Sequence, residues 1–240
     1  MLLAPGLNTK RSSLCGRSFE YYSEDPYLSG KLAAGFIRGA QKQGVSACAK
    51  HYAANAQELL RMHSDSVMDE RTLREMYLTN FEIAIKEGKP GFVMTAYNRV
   101  NGVYANESRH LLGDILRGEW GFDGAVVTDW GGSNSIVEGV REGMNLEMPA
   151  AGDDSPCQLV KAVKDGTIDE KIIDERVDQL LDFVLAENKS GESSFDAAKQ
   201  HQAAEAAAEK CLVLLKNDEH LLPLKKDARV AVIGEFAARS

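Results

Sequence analysis

Hydrophobic and polar positions along this chain switch repeatedly between two patterns. Short, nearly continuous apolar runs are followed by longer stretches whose apolar side chains recur at helical spacing. LLAPGLN (2–8) is the first apolar run. A helix is expected from Ser23 to Gln43, with Ser23 as N-cap, Pro26 in its first turn and Gly44 as its stop. Its apolar stripe would be Leu28, Leu32, Phe36, Ile37 and Ala40. A second run at 45–55 precedes an amphipathic helix, Asp69–Glu87, with Leu73, Met76, Tyr77, Phe81 and Ala84 on one face and Gly88 as stop. Further strands are expected at 91–98, 124–132 and 145–149, and further helices at 110–121, 136–143, 156–165 and 169–187. The polar stretch 188–200 reads as a linker. An Ala-rich helix at 202–217 follows, then LLPL and a strand at 228–234.

Strands alternating with helices predict parallel βαβ units, and the apolar runs suit strands covered on both faces. No GxGxxG or P-loop follows any strand, which removes the commonest signatures of a doubly wound sheet. Several strands instead end in polar groups: Asn8-Thr9-Lys10, Lys50-His51, Tyr97-Asn98, Asp129-Trp130 and Glu147. Working groups at the C-terminal ends of many strands mark a (β/α)8 TIM-type barrel, whose loops build one site. At about 30 residues per unit, residues 1–187 amount to an incomplete barrel of about six βα units. The chain opens on a buried-type strand and closes on a strand just begun. We therefore expect a piece of a longer protein: a partial catalytic barrel at 1–187, a linker and connecting helix at 188–217, and the beginning of a second domain at 218–240.

Composition narrows the function. Of 240 residues 44% are hydrophobic and 27% charged, as in an ordinary globular protein. A net charge of -8 with no basic run argues against nucleic acid or an anionic membrane as partner. Cys15, Cys48, Cys157 and Cys211 form no CxxC pair and read as free thiols in a reducing, cytoplasmic setting. There is no apolar run of transmembrane length and no signal peptide, although a truncated start leaves secretion open.

Asp129 beside Trp130 at a barrel mouth suggests sugar chemistry. The C–H face of a pyranose can lie on an indole, and a carboxylate can attack or stabilise the anomeric carbon. Arg17, Lys50, His51, Arg61 and Tyr97 would supply donors for the hydroxyls. A metal hydrolase is the rival chemistry, but neither HxH nor HExxH occurs.

CGRSFEYYSEDPYLSGKLAAGFIRG, AKHYAANAQELLRMHSDSVMDERTLREMYL, MTAYNRVNG and ILRGEWGFDGAVVTDWG closely resemble glycoside hydrolase family 3, in the branch of bacterial β-glucosidases and related exo-acting enzymes. The resemblance implies a retaining mechanism without cofactor or metal, and a barrel followed by an α/β sandwich domain. It makes Asp129 the nucleophile, although SDW is the commoner form of the VTDW motif seen here. It makes Trp130 the ring lining the glycone subsite, and Arg17, Lys50, His51, Arg61 and Tyr97 the groups that grip the sugar. The family's substrate-binding aspartate lies upstream of this chain, and its acid/base, a glutamate in the second domain, would lie beyond Ser240. The implied substrate is a β-glucoside or oligosaccharide, cut from the non-reducing end.

Competing readings stand beside this one. Asp129 alone could be a turn residue, Trp130 core packing, and Arg17 or Arg61 solvated surface groups. His63 in HSDS offers a superficial His–Asp acid/base pair like that of the family's N-acetylglucosaminidase branch. The KHYAANAQELLR loop lacks that branch's KHFPGHG pattern, so His63 reads as a loop residue. Glu147 carries no assignment. The functional alternatives are an inactive sugar-binding fragment and xylosidase- or N-acetylglucosaminidase-type specificity. A homodimer of the full-length protein stays open.

Overall fold

The computed structural model describes residues 1–187 and 195–238. It divides into two units, Met1–Lys189 and Ser190–Ser240. In the first unit three parallel strands, β1 (Cys48–Tyr52), β3 (Phe92–Thr95) and β6 (Ala125–Val127), pair in the order β1-β3-β6. Two further parallel positions extend this sheet through single bridges. Leu2 and Gly6 pair with Ala47 and Lys50 on one side, and Leu146 pairs with Val127 on the other. Each position lies beside its predecessor in sequence, without the reversal of order that defines a doubly wound sheet. This is the winding of a TIM-like barrel, here incomplete. The predicted strands at 2–8 and 145–149 survive only as those bridges. Pro5 and Pro149 lie in these two segments and have no N–H to contribute to a ladder.

Helices follow the strand positions: α1 (Pro26–Lys42), α2 (70–88), α3 (His110–Glu119), α4 (Ile136–Glu142), α5 (Asp154–Lys164) and α6 (Glu170–Glu187). The N-cap of α1 is Asp25, whose carboxylate accepts the Tyr27 N–H at 2.8 Å, and not Ser23, whose hydroxyl accepts the Asp25 N–H. The buried face of α1 also differs from the expected stripe. Ser29, Gly30, Ala33, Ala34 and Ile37 face inward, while Leu28, Leu32 and Phe36 stay 40–47% exposed. Helix separation decides this. A Cβ on Gly30 would lie 2.8 Å from Ile83 Cβ and 3.0 Å from the Asn80 carbonyl of α2, a closeness only small residues permit. In α2, Leu73, Leu78, Phe81, Ala84 and Ile85 are buried, whereas Met76 is 43% exposed. Parts of this helix have wider, π-type winding, which shifts the inward phase from Met76 to Leu78.

A second, small sheet braces the mouth of the barrel. β2 (Asp65–Ser66) pairs in parallel with β4 (Arg99–Val100), which pairs antiparallel with β5 (Val103–Tyr104). It fastens the loop after β1 to the loop after β3. In the second unit, α7 (Ala197–Cys211) starts five residues before the expected 202, because the Asp196 carboxylate caps it through the Lys199 N–H at 3.1 Å. The predicted linker falls on residues 188–194, outside the described residues, and on the first turn of α7. The predicted strand at 228–234 has no ladder partner among the described residues, and no strand is formed there. An apolar run becomes a strand only when a neighbour takes up its N–H and C=O groups.

Candidate active site

β6 is wholly buried and delivers Thr128 and Asp129 to the mouth of the barrel. Thr128 is locked to the neighbouring strand position: its hydroxyl accepts the Met148 N–H at 2.9 Å and donates to the Met148 carbonyl at 3.2 Å. The chain then turns at once. Gly131 has φ +69°, and the Gly132 N–H donates to the Asp129 carbonyl at 2.8 Å. A Cβ on Gly132 would sit 3.0 Å from that carbonyl oxygen, so the second glycine permits the close turn. The strand is the rigid mount, and the glycines let the backbone leave.

The two carboxylate oxygens of Asp129 differ. Oδ1 accepts the Trp130 N–H at 2.7 Å. Oδ2 is buried and accepts no hydrogen bond, with His51 Nε2 at 3.4 Å and Arg17 Nη1 at 3.8 Å. One oxygen is tied to backbone, and the other is held free among donors.

The donors come from three stretches: the segment before α1, the end of β1 with the loop after it, and the loop after β3. His51, at the end of β1, is 1% exposed; Asn8 clamps its peptide, accepting its N–H at 2.7 Å and donating to its carbonyl at 2.8 Å. Burial, reinforced by Arg17, Lys50 and Arg61, holds the imidazole pKa well below its ordinary value, so the ring is neutral. Arg17 Nε donates to Glu20 Oε1 at 2.5 Å, and Lys50 Nζ lies 3.5 Å from Glu20 Oε2. Glu20 therefore bridges the two cations. Arg61 pairs with Glu58 at 2.9 Å and lies over the Tyr97 ring at 4.6 Å. The Tyr97 hydroxyl donates to the Trp130 carbonyl at 2.8 Å; burial and the neighbouring Asp129 carboxylate push it up to about 12. The Trp130 ring is 48% exposed.

All seven predicted site residues thus fall in one constellation. Asp129 neighbours both Arg17 and His51, Lys50 joins through Glu20, and Arg61, Tyr97 and Trp130 are linked to one another beside Asp129. Glu20, Tyr21, Asn55 and Glu58 are the supporting groups that the sequence did not single out; their positions inside the CGRSFEYY and AKHYAANAQELLR runs were the only hint of them. His63 lies apart on an exposed loop, lining a cleft with Arg11 and Asp65. Among the described residues no cluster of three His, Cys, Asp or Glu side chains could hold a metal ion.

The sequence that builds this sequentially wound parallel sheet matches a known domain. The profile of the glycosyl hydrolase family 3 N-terminal domain covers residues 1–183. The chain belongs to this family. It is 49% identical over its whole length to thermostable β-glucosidase B of Acetivibrio thermocellus, covering 32% of that protein. It is 41% identical, over 99% of its length and 33% of the relative, to an exo-α-(1→6)-L-arabinopyranosidase of Bifidobacterium longum. The solved β-glucosidase 3B of Thermotoga neapolitana, in complex with glucose, superposes with a TM-score of 0.88 at 43% identity, over 93% of this chain and 33% of that one. The family 3 β-glucosidase of Bifidobacterium adolescentis superposes with a TM-score of 0.90 at 42% identity, over 98% of this chain and 35% of that one. The chain spans about a third of the length of the curated relatives it matches.

Proposed function

We propose that this chain forms the nucleophile-bearing part of a retaining exo-β-glycosidase acting on terminal β-glucosides. The observation that carries the reading is the asymmetry of Asp129. Oδ1 is occupied by a backbone N–H, while buried Oδ2 has no hydrogen bond and lies near Arg17 and His51. In this reading Oδ2 attacks the anomeric carbon as the bond to the leaving oxygen breaks. An acid outside residues 1–240 protonates that oxygen. The transition state is oxocarbenium-like, and a glycosyl ester of Asp129 results; water, deprotonated by the same outside group, then releases the sugar. Arg17, Lys50, His51, Arg61 and Tyr97 hydrogen-bond the glycone, more strongly as charge develops. The half-exposed Trp130 ring offers a face for the sugar's C–H surface. The second unit is then the beginning of the domain that contributes the acid. Four free thiols support a reducing, cytoplasmic setting.

The arabinopyranosidase relative favours a second glycone within the same mechanism, a pentopyranoside lacking the C6 hydroxymethyl group. The ratio of kcat/KM for the two aryl glycosides in the complete enzyme decides between them. For the mechanism, Asp129→Gly in the complete enzyme should lose at least about 10³-fold in kcat on aryl β-glucosides. Azide should then restore turnover, entering the space of the lost carboxylate and giving the α-glycosyl azide. Retention of most activity, or a β-configured azide product, would remove Asp129 from the nucleophile's role.

A further inference from the structure

We propose that Glu58, Asn55 and Tyr21 are positioning residues that fix His51 as its Nε2–H tautomer, with Nε2 the ring nitrogen nearer Asp129 Oδ2. The relay has a direction because each group can face only one way. The Glu58 carboxylate is an acceptor, and its Oε1 takes an N–H of Asn55 Nδ2 at 3.2 Å. Turning the Asn55 amide over would set its carbonyl against that carboxylate, so the amide is oriented. The same Nδ2 carries a second N–H, and Tyr21 Oη lies 3.4 Å away to accept it. With its oxygen accepting from Asn55, the Tyr21 hydroxyl has its single proton free for His51 Nδ1 at 3.2 Å. Nδ1 is then the acceptor, and in a neutral ring the proton must reside on Nε2. Nε2 lies 3.4 Å from Asp129 Oδ2 without a formed hydrogen bond, and a ring N–H is better tolerated beside a carboxylate oxygen than a lone pair, which favours the same tautomer.

The surroundings hold the relay in place. Tyr21, His51 and Asn55 are each no more than 3% exposed, so water does not compete for these bonds. Burial pushes the Tyr21 hydroxyl well above its ordinary value, which keeps it a proton donor. Gly6 makes the room. A Cβ there would sit 3.1 Å from the Tyr21 ring and 2.9 Å from Glu20 Oε2. The other oxygen of Glu58 engages Arg61, so one carboxylate orients both the relay and a second cation of the site.

The kinetic consequence rests on Asp129 being the nucleophile; the tautomer does not. The test uses the complete enzyme labelled with ¹⁵N-histidine, with the His51 signals assigned by their loss in His51→Gln. The long-range ¹H–¹⁵N spectrum should show a pyridine-type Nδ1 and a pyrrole-type Nε2. Tyr21→Phe removes the donor and should give mixed tautomers, with kcat/KM falling on the order of ten-fold, the value of one buried hydrogen bond. Asn55→Asp replaces the donor by an acceptor and should reverse the relay, moving the proton to Nδ1. A wild-type Nδ1–H tautomer, or a spectrum unchanged in both variants, overturns the proposal. If the tautomers respond as expected but a mechanism-based label misses Asp129, the relay stands and the nucleophile assignment fails.

Discussion

Asp129 and His51 illustrate how much of this site is arranged by groups that would never touch a sugar. Asp129 has one oxygen anchored to the Trp130 N–H, and His51 has its backbone clamped on both sides by Asn8. The buried imidazole also has a measurable consequence for stability. Its folded pKa lies well below the ordinary value, so below about pH 6.5 the unfolded chain takes up a proton that the folded chain refuses. Stability must therefore fall as the pH drops through that window, by at most about 1.4 kcal/mol per pH unit from this group. His51→Gln should flatten the acid limb of a thermal-melt series between roughly pH 6.5 and 5.5; an unchanged slope would assign the acid sensitivity to other groups. The seven candidate residues stood out because each sits at a strand end or has a counterpart in the resembled family's motifs. Glu20, Tyr21, Asn55 and Glu58 lie in the same motifs but did not stand out. They lie on irregular loops, where no period links a carboxylate or an amide to the group it orients, and only folded distances reveal the partner.

At the scale of the elements, the sequence pattern was informative about type and order and poor about faces. The helix α1 was expected to bury Leu28, Leu32, Phe36, Ile37 and Ala40, yet of these only Ile37 is buried, beside the small Ser29, Gly30, Ala33 and Ala34, because Gly30 must approach α2 to within van der Waals contact. Hydrophobic periodicity reports which side of a helix is apolar; how near the next helix comes is set by tertiary packing. The N-cap shifted from Ser23 to Asp25 for a local reason: Asp25 directly precedes Pro26, whose fixed φ starts the helix. The strongest element-scale prediction concerns the seam between β3 and β6. A Cβ on Gly124 would lie 2.4 Å from the Gly91 carbonyl and 2.7 Å from the Phe122 ring, and the backbone oxygen cannot give way without parting the strands. Gly124→Ala should destabilise the barrel by about 2 kcal/mol or more, read as a lowered melting temperature. An unchanged melting temperature would mean that the two strands tolerate separation.

For the whole molecule, the barrel was legible in advance because strand-end polarity and the lack of phosphate-binding glycine motifs both speak of architecture. Strictly sequential pairing from Leu2–Gly6 to Leu146 bears this out. The second unit was legible only in outline. Its helix begins at Ala197, and its apolar run at 228–234 has no strand partner among the described residues, since a single run carries no information about its neighbour. No helix among the described residues is long and apolar enough to cross a membrane. The proposed mechanism needs two carboxyl groups about 5–5.5 Å apart, and places only the nucleophile within residues 1–240. The 240-residue chain by itself should accordingly show negligible turnover of aryl β-glucosides in a chromogenic assay; family-level activity would require an acid within it. The central claim is that Asp129 Oδ2 forms the bond to the sugar. The complete enzyme, inactivated with a 2-fluoro-β-glucoside, digested and analysed by mass spectrometry, should carry the 2-fluoroglucosyl group on the peptide containing Asp129, at that side chain. A label on any peptide lacking Asp129 would contradict the account.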